Sequence, residues 1–284
     1  MVTPVLRSPF LVTGGTGTVG SRVAARLIAD GVAARVVGRD TDPPFDWEQP
    51  GTWPTALAGI DAVFLLLPEA ARLPEGLLGT AADAGVGRVV LLSDRSAPLR
   101  GVENLLEAEN LVRSSGLEST IVRPDWFQED FETFFRQPVA DGLLVVPVGE
   151  TLQDFVSADD IGQVAAVALQ GGFAGRTLEV TGGERLTFAE ALAVIADAIG
   201  RPVRFDGRAD TYRQQHLGFG RPADEVDAEI AGYARLVAAG DVRLSSTVAE
   251  VLGRPPTAFA EYVRSAAARG VRRREGLGGA GALD

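Results

Sequence analysis

Apolar and polar positions along this chain follow two alternating periods. Runs that are mainly apolar, at 9–13, 34–38, 62–67 and 88–92, have the length of strands buried on both faces, and 118–122, which starts polar and ends on Ile121-Val122, reads as a further strand. Between them, 18–30, 70–85 and 101–115 repeat apolar residues every three or four positions, as Val23, Leu27 and Ile28 do, which predicts helices. Strands alternating with helices predict an α/β chain, with a parallel sheet covered by helices on both sides. The stretch 41–54, from Thr41-Asp42-Pro43-Pro44 to Trp53-Pro54, interrupts both periods. It reads as a surface crossover with room for one short strand near Phe45.

Beyond residue 123 the rhythm changes. Trp126, Phe127, Phe131, Phe134 and Phe135 stand at helical spacing, which predicts a helix over 126–136 with most of these rings in a core. A strand pair is expected around 143–156, then a helix at 158–170 and a strand at 176–180 that return to the main sheet. Helical patterns follow at 187–200, 208–218, 222–239, 246–252 and 256–268, with Thr187, Pro202, Pro222 and Pro255 as caps or breakers. The expected division is a first domain of 1–125 with 154–181 returning to it. A smaller, mostly helical lobe is expected from 126–153 and 182–270, and a flexible tail over 271–284 that contains Arg272-Arg273-Arg274. The lobe is expected at the carboxyl ends of the strands, where open α/β sheets bind ligands.

The first strand runs into Thr13-Gly14-Gly15-Thr16-Gly17-Thr18-Val19-Gly20, and a helix follows. A strand, a glycine turn and a helix start form the arrangement that holds a dinucleotide's pyrophosphate. The spacing here is Gly-x-x-Gly-x-x-Gly. Gly14 makes the turn, Gly17 lets the backbone approach phosphate, and Gly20 lets helix and strand pack closely. Thr13, Thr16 and Thr18 offer hydroxyls and amides to the anion, and Val19 completes the contact stretch. The second strand ends at Val36-Val37-Gly38-Arg39, which places Arg39 as the first charge beyond it, 19 residues after Gly20. An arginine there favours the 2′-phosphate of NADP(H) over the free ribose of NAD(H), with Asp40 adjacent.

Composition narrows the chemistry. The 284 residues carry a net charge of −11, which argues against a nucleic-acid or anionic-membrane surface. There is no cysteine, so disulfides and thiolate catalysis are excluded. The single histidine, His216, excludes a histidine-rich metal site, and no metal is expected. No apolar run reaches the roughly 18–20 residues of a membrane span. Residues 1–9 lack a secretory pattern, so a cytoplasmic protein is expected. Lysine is absent: all 27 basic residues are arginine.

The glycine turn, Phe45-Asp46-Trp47, Leu57-Ala58-Gly59-Ile60-Asp61-Ala62-Val63-Phe64-Leu65-Leu66-Leu67-Pro68, Ala84-Gly85-Val86-Gly87-Arg88-Val89-Val90-Leu91-Leu92-Ser93, Ile121-Val122-Arg123-Pro124, Trp126-Phe127, Phe155-Val156 and Gly253-Arg254-Pro255-Pro256 occur in the order of a known family. Through them the chain resembles the NmrA-like group of atypical short-chain dehydrogenases/reductases, near NAD(P)H:quinone and azo reductases. The resemblance implies a Rossmann-like, doubly wound parallel sheet with a smaller C-terminal substrate lobe. It implies that Asp46 and Trp47 flank the adenine, that Leu66, Leu67 and Pro68 line the adenosine and ribose, and that Ser93 lies near the nicotinamide. The segment after Arg123-Pro124 would close over that ring. Related reductases often pair through exposed helices, so a homodimer is compatible with the resemblance.

One departure stands out. Typical members use a Tyr-x-x-x-Lys pair, but this chain has no lysine, and its tyrosines, Tyr212, Tyr233 and Tyr262, all lie in the second half. The corresponding helix carries Glu103 and Glu107 on one face, which reads as a solvated surface. Hydride transfer to a simple ketone leaves a strongly basic alkoxide that needs a positioned acid. Transfer to a quinone leaves a phenolate-like anion with a pKa near the ~10 of tyrosine, for which water or a hydroxyl such as Ser93 is enough. The expected activity is therefore NADPH-dependent reduction of a flat, quinone-like or conjugated aromatic or enone molecule. Trp126, Phe127 and lobe aromatics would form its slot. His216 is a candidate proton donor or an incidental surface histidine, and Asp125 a substrate contact or a helix cap. Two other readings stay open: a non-catalytic NADP-binding redox sensor, as the namesake NmrA is, and a non-redox biosynthetic enzyme on the same fold.

Overall fold

A computed structural model describes residues 8–240 and 243–278, with side chains as far as Arg269. The strands are β1 (Phe10–Thr13), β2 (Ala34–Val37), β3 (Ala62–Leu65), β4 (Arg88–Leu92), β5 (Glu118–Pro124), β6 (Leu143–Val145), β7 (Thr177–Val180) and β8 (Arg204–Asp206). The helices of the first half are α1 (Gly20–Ala29), α2 (Trp53–Leu57), α3 (Leu77–Asp83), α4 (Ala97–Arg100), α5 (Glu103–Ser114) and α6 (Arg136–Asp141). Those of the second half are α7 (Ala158–Gln170), α8 (Phe188–Ile199), α9 (Ala209–Gly218), α10 (Ala223–Ala239), α11 (Thr247–Leu252) and α12 (Phe259–Gly278). The chain divides into two compact units: 1–125 with 158–181 and 245–255, and 126–157 with 182–244 and 256–284.

The first unit holds a six-stranded parallel sheet in the order β2-β1-β3-β4-β5-β7. Because successive strand residues face opposite sides, the apolar runs supply two cores at once. Leu11, Val63, Leu65, Val89, Leu91 and Ile121 are buried in one cluster with Trp53 and Leu57 of α2, Leu77 and Ala81 of α3, and Ala108 and Val112 of α5. Val12, Phe64, Val90 and Val122 are equally buried, as are Val23 and Leu27 of α1 and Ile161 and Ala165 of α7. Gly162 allows α7 to lie against α1: a Cβ there would stand 2.6 Å from Cβ of Arg22. Strand order reverses at β1, between β2 and β3. Such a switch point opens a crevice at the carboxyl ends of the strands.

The second unit is built on an aromatic core. Phe131, Phe135, Phe155, Phe188 and Phe259 are buried together, with Trp126 and Phe205 packed against them. Thr187 and Glu190 form a reciprocal cap at the start of α8.

Four local expectations are corrected. Phe45 is not in a strand; the prolines before it lack ladder N–H groups, and its ring fills the first core beside Trp53. Residues 126–136 do not form one helix but a short 3-10 turn, Gln128–Glu132, followed by α6. The pair expected within 143–156 is absent, because Pro147 interrupts the run and β6 instead pairs in parallel with β8. Part of the expected tail continues α12 to Gly278, as arginine-rich sequence permits; 279–284 lie outside the described residues.

Candidate functional site

The glycine turn sits at the switch point. Gly14 has φ +63, and a Cβ on it would come within 2.8 Å of Cδ2 of Leu66. On Gly15 a Cβ would meet Cγ1 of Val36 at 2.4 Å, and on Gly20 it would meet the carbonyl oxygen of Gly14 at 2.3 Å. These three positions have no room for a side chain because the protein fills it. Gly17 differs. It is exposed, and a Cβ there would touch only the oxygen of Gly14, at 3.2 Å. Among the described residues, the backbone N–H groups of Thr16, Thr18 and Val19 donate to no protein acceptor. The first turn of α1 has no acidic side chain and no side-chain cap. Free amides, a bare surface and the positive end of a helix dipole together fit the phosphates of a nucleotide.

The other candidates for this site divide. Thr13 is buried. Its hydroxyl donates to the carbonyl of Phe64 at 3.1 Å and accepts from the N–H of Leu66 at 2.8 Å, so it ties β1 to β3 and is not offered to an anion. Val19 is buried and presents only its amide. Leu66 lies beside Gly14 and Pro68 is exposed, whereas Leu67 points into the core. Asp46 organises its own turn: its carboxylate accepts from the N–H of Glu48 at 3.0 Å and Nε2 of Gln49 at 2.9 Å, and its carbonyl accepts from Nε1 of Trp53 at 2.8 Å. Trp47 stands edge-on to Phe45 at 5.1 Å, half-buried. Arg39 is exposed two residues beyond β2 and makes no ion pair among the described residues.

Ser93 follows β4, and its hydroxyl donates to Oε1 of Glu109 at 2.6 Å. Glu109, on the inner face of α5, is fully buried. It accepts two hydrogen bonds from Arg123 (2.7 and 2.6 Å) and one from Arg113 (2.9 Å). Burial raises the pKa of its carboxyl, but the bonds from Arg123, Ser93 and Arg113 prevail and hold it below the ordinary carboxylate value. Glu109 was missed in the sequence, although two signs mark it. It shares a helix face with Ala108 and Val112, and Arg123 directly follows the buried apolar pair Ile121-Val122 in β5. A charge on each of two apolar faces is the signature of a buried pair. Asp125 accepts from Nη1 of Arg95 at 3.1 Å, and the N-cap of the following turn is Phe127, whose N–H donates to Asp130 at 3.1 Å.

The second unit contains a cavity of about 240 Å³, walled by Phe135, Leu144, Val145, Tyr212, Tyr233 and neighbouring residues, with His216 and Gln215 as polar members. Tyr212 stacks on His216 at 4.0 Å. Nδ1 of His216 lies 3.0 Å from Nη1 of Arg221, and Arg221 also donates to Glu229 at 2.8 Å. Arginine is only a donor, so Nδ1 accepts and the neutral ring carries its proton on Nε2. Burial and then the Arg221 charge push the imidazole pKa below its ordinary value, against an opposing pull from Glu229. Trp126 stacks on Tyr233 at 6.4 Å and belongs to the core beside this cavity; Phe127 bridges Val156 and is not part of its wall.

No helix among the described residues is long and apolar enough to cross a membrane, and no metal-ligating cluster occurs among them. A family model described as NAD(P)H-binding matches residues 14–171. The NAD(P)H azoreductase of Xenophilus azovorans is 32% identical over 281 residues, covering 91% of this chain and 98% of that protein. Prestalk A differentiation protein A of Dictyostelium discoideum is 32% identical over 282 residues, covering 90% of this chain and 91% of that one. The NADPH-dependent quinone oxidoreductase of Escherichia coli, solved with NADPH, has the same fold. Its TM-score is 0.76 at 20% identity, covering 89% of this chain and 98% of that one.

Proposed function

The chain belongs to the NAD(P)H-binding, NmrA-like reductases, and from that premise we propose that it uses NADPH to reduce a quinone-like or conjugated aromatic or enone acceptor without a tyrosine–lysine pair. When bound, the nicotinamide supplies the hydride. The amides of Thr16, Thr18 and Val19 would hold the phosphates, Gly14 and Gly17 would keep the approach clear, and Leu66 and Pro68 would border the adenosine. Asp46 and Trp47 would shape the adenine edge through their turn.

The choice of NADPH rests on Arg39. Its guanidinium is exposed and, among the described residues, has no acidic partner, at the end of the strand beside the glycine turn, where a 2′-phosphate is recognised. The choice of acceptor rests on the supply of protons. Lysine is absent, and the proton of Ser93 already faces Glu109. Burial raises the pKa of Tyr212 and Tyr262 far above the ordinary tyrosine value and weakens both as acids. That set serves an acceptor whose reduced form is a weak base, which solvent protonates. An azo group delocalises its incoming electron pair as a quinone does, so the azoreductase relative supports the same class. Ser93 would keep lone pairs for a donor on the bound nucleotide, Asp125 would stay paired with Arg95 at the substrate side, and His216 would supply a neutral N–H.

The test is NADPH oxidation against quinones, azo dyes, enones and simple ketones. Conjugated acceptors are expected to turn over and simple ketones not. Arg39→Ala is expected to raise KM for NADPH about tenfold, or ~1.4 kcal/mol, and to leave NADH use unchanged. Equal use of NADH and NADPH by the parent would remove Arg39 from cofactor choice. The likeness to a protein named for prestalk differentiation favours a second reading, an NADP-binding regulator without turnover. Tight NADPH binding with no acceptor reduced would select it.

A further inference from the structure

We propose that the cavity of the second unit binds one flat, uncharged aromatic carbonyl compound, held by a hydrogen bond from Nε2 of His216 and clasped at its mouth by Phe134 and Phe219. This rests on the reading of the chain as a reductase of conjugated acceptors, and it specifies where the acceptor is recognised and how.

The walls are almost wholly apolar or aromatic, with Phe135, Leu144, Val145 and Tyr233 among them, which suits a planar ring system. Phe134 and Phe219 also line the cavity, yet they are 74% and 71% exposed. Large aromatic side chains left in water at the rim of an apolar cavity gain most by closing on a ligand.

The polar groups select charge and orientation. The groups facing His216 are Tyr212 and Gln215 on α9, Arg221 beyond it, and Glu229 and Tyr233 on α10. Arg221 and Glu229 cancel each other, so neither attracts an ionic ligand. Arg221 also occupies Nδ1 and fixes the tautomer, which leaves Nε2–H as a directed donor in a low-dielectric wall. The side-chain amide of Gln215 adds a second donor. The complementary ligand is neutral, presents a carbonyl oxygen, and is bounded in size by the 240 Å³ cavity. An anionic analogue would lose its hydration without gaining a countercharge.

The test uses 1,4-naphthoquinone as probe, with naphthalene (no acceptor oxygen) and 1,4-naphthoquinone-2-sulfonate (charged) as controls. Binding is measured by calorimetry on the full chain without NADPH, beside steady-state kinetics. The quinone is expected to bind about tenfold more tightly than either control. His216→Ala should weaken it about tenfold, and His216→Gln, which restores an N–H donor, should recover most of that loss. Phe219→Ala alters an exposed residue and keeps the test available if His216→Ala fails to fold; about a threefold loss is expected. KM for the quinone should follow these changes while KM for NADPH does not. Equal affinity for quinone and naphthalene, or affinity unmoved by His216→Ala and Phe219→Ala, overturns the site even if the quinone is reduced. His216-dependent binding without NADPH oxidation leaves the site standing and overturns the reductase reading instead.

Discussion

Gly17 and Gly20 share a loop and a residue type, yet the space around them sets opposite expectations. A Cβ on Gly20 collides with the backbone oxygen of Gly14 at 2.3 Å, and backbone cannot rotate away as a side chain does. Gly20→Ala is therefore expected to destabilise the fold by about 1–3 kcal/mol, read as a lower urea midpoint. A Cβ on Gly17 meets one atom, at 3.2 Å, and otherwise open space. Gly17→Ala should stay within about 1 kcal/mol of the parent in stability and bind NADPH at least tenfold more weakly by calorimetry, since its methyl would stand where we propose that the phosphate approaches. Unchanged affinity would mean that the nucleotide does not use this turn. The glycine spacing was legible in the chain, but the division of labour among the threonines was not. Thr13 and Thr16 are alike in sequence. Only the neighbouring strand shows that the hydroxyl of Thr13 is engaged between Phe64 and Leu66.

Between elements, the contact with the greatest consequence is α5 against β4 and β5 through Glu109. Its carboxylate joins Ser93, Arg113 and Arg123, and replacing it leaves a largely buried guanidinium unpaired. Glu109→Gln is expected to cost about 3 kcal/mol in thermal or urea unfolding. The pH dependence has a definite sign. Folding lowers the pKa of Glu109 below its ordinary 4.5, so the unfolded chain binds the proton more readily. The stabilisation is complete above that value and is lost as pH falls through the folded pKa. The stability gap between parent and Glu109→Gln should accordingly narrow in acid. A gap independent of pH would show that the carboxylate charge contributes nothing. The elements themselves were legible where a run was long and strictly periodic, as in α7, α8 and α10. They were not legible where pairing is remote: β6 finds β8 about sixty residues away, and no local spacing encodes that partner.

At the scale of the molecule, the groups proposed to hold the nucleotide lie in the unit that carries the parallel sheet. Binding to the folded state alone should raise stability by about 2.7 kcal/mol at a hundredfold excess over Kd. The melting temperature should climb with the logarithm of NADPH concentration, and amide exchange should slow over residues 13–20. Saturating NADPH that leaves exchange there unchanged would contradict the placement. The net charge of −11 bears on partners rather than on the fold and disfavours polyanions.

Backbone geometry repeats every two residues in a strand and about every 3.6 in a helix, so the chain itself specified the six strands of the parallel sheet, the long helices α1, α5, α7, α8 and α10, and where the glycine turn joins strand to helix. It also specified that any chemistry proceeds without lysine or cysteine. Spatial neighbours far apart in sequence were decided only by tertiary structure: the strand order, the Glu109–Arg123 pair, the tautomer that Arg221 imposes on His216, and the cavity His216 lines. Each depends on groups meeting across the folded chain, and side-chain identity alone does not determine which partner fills the space beside it.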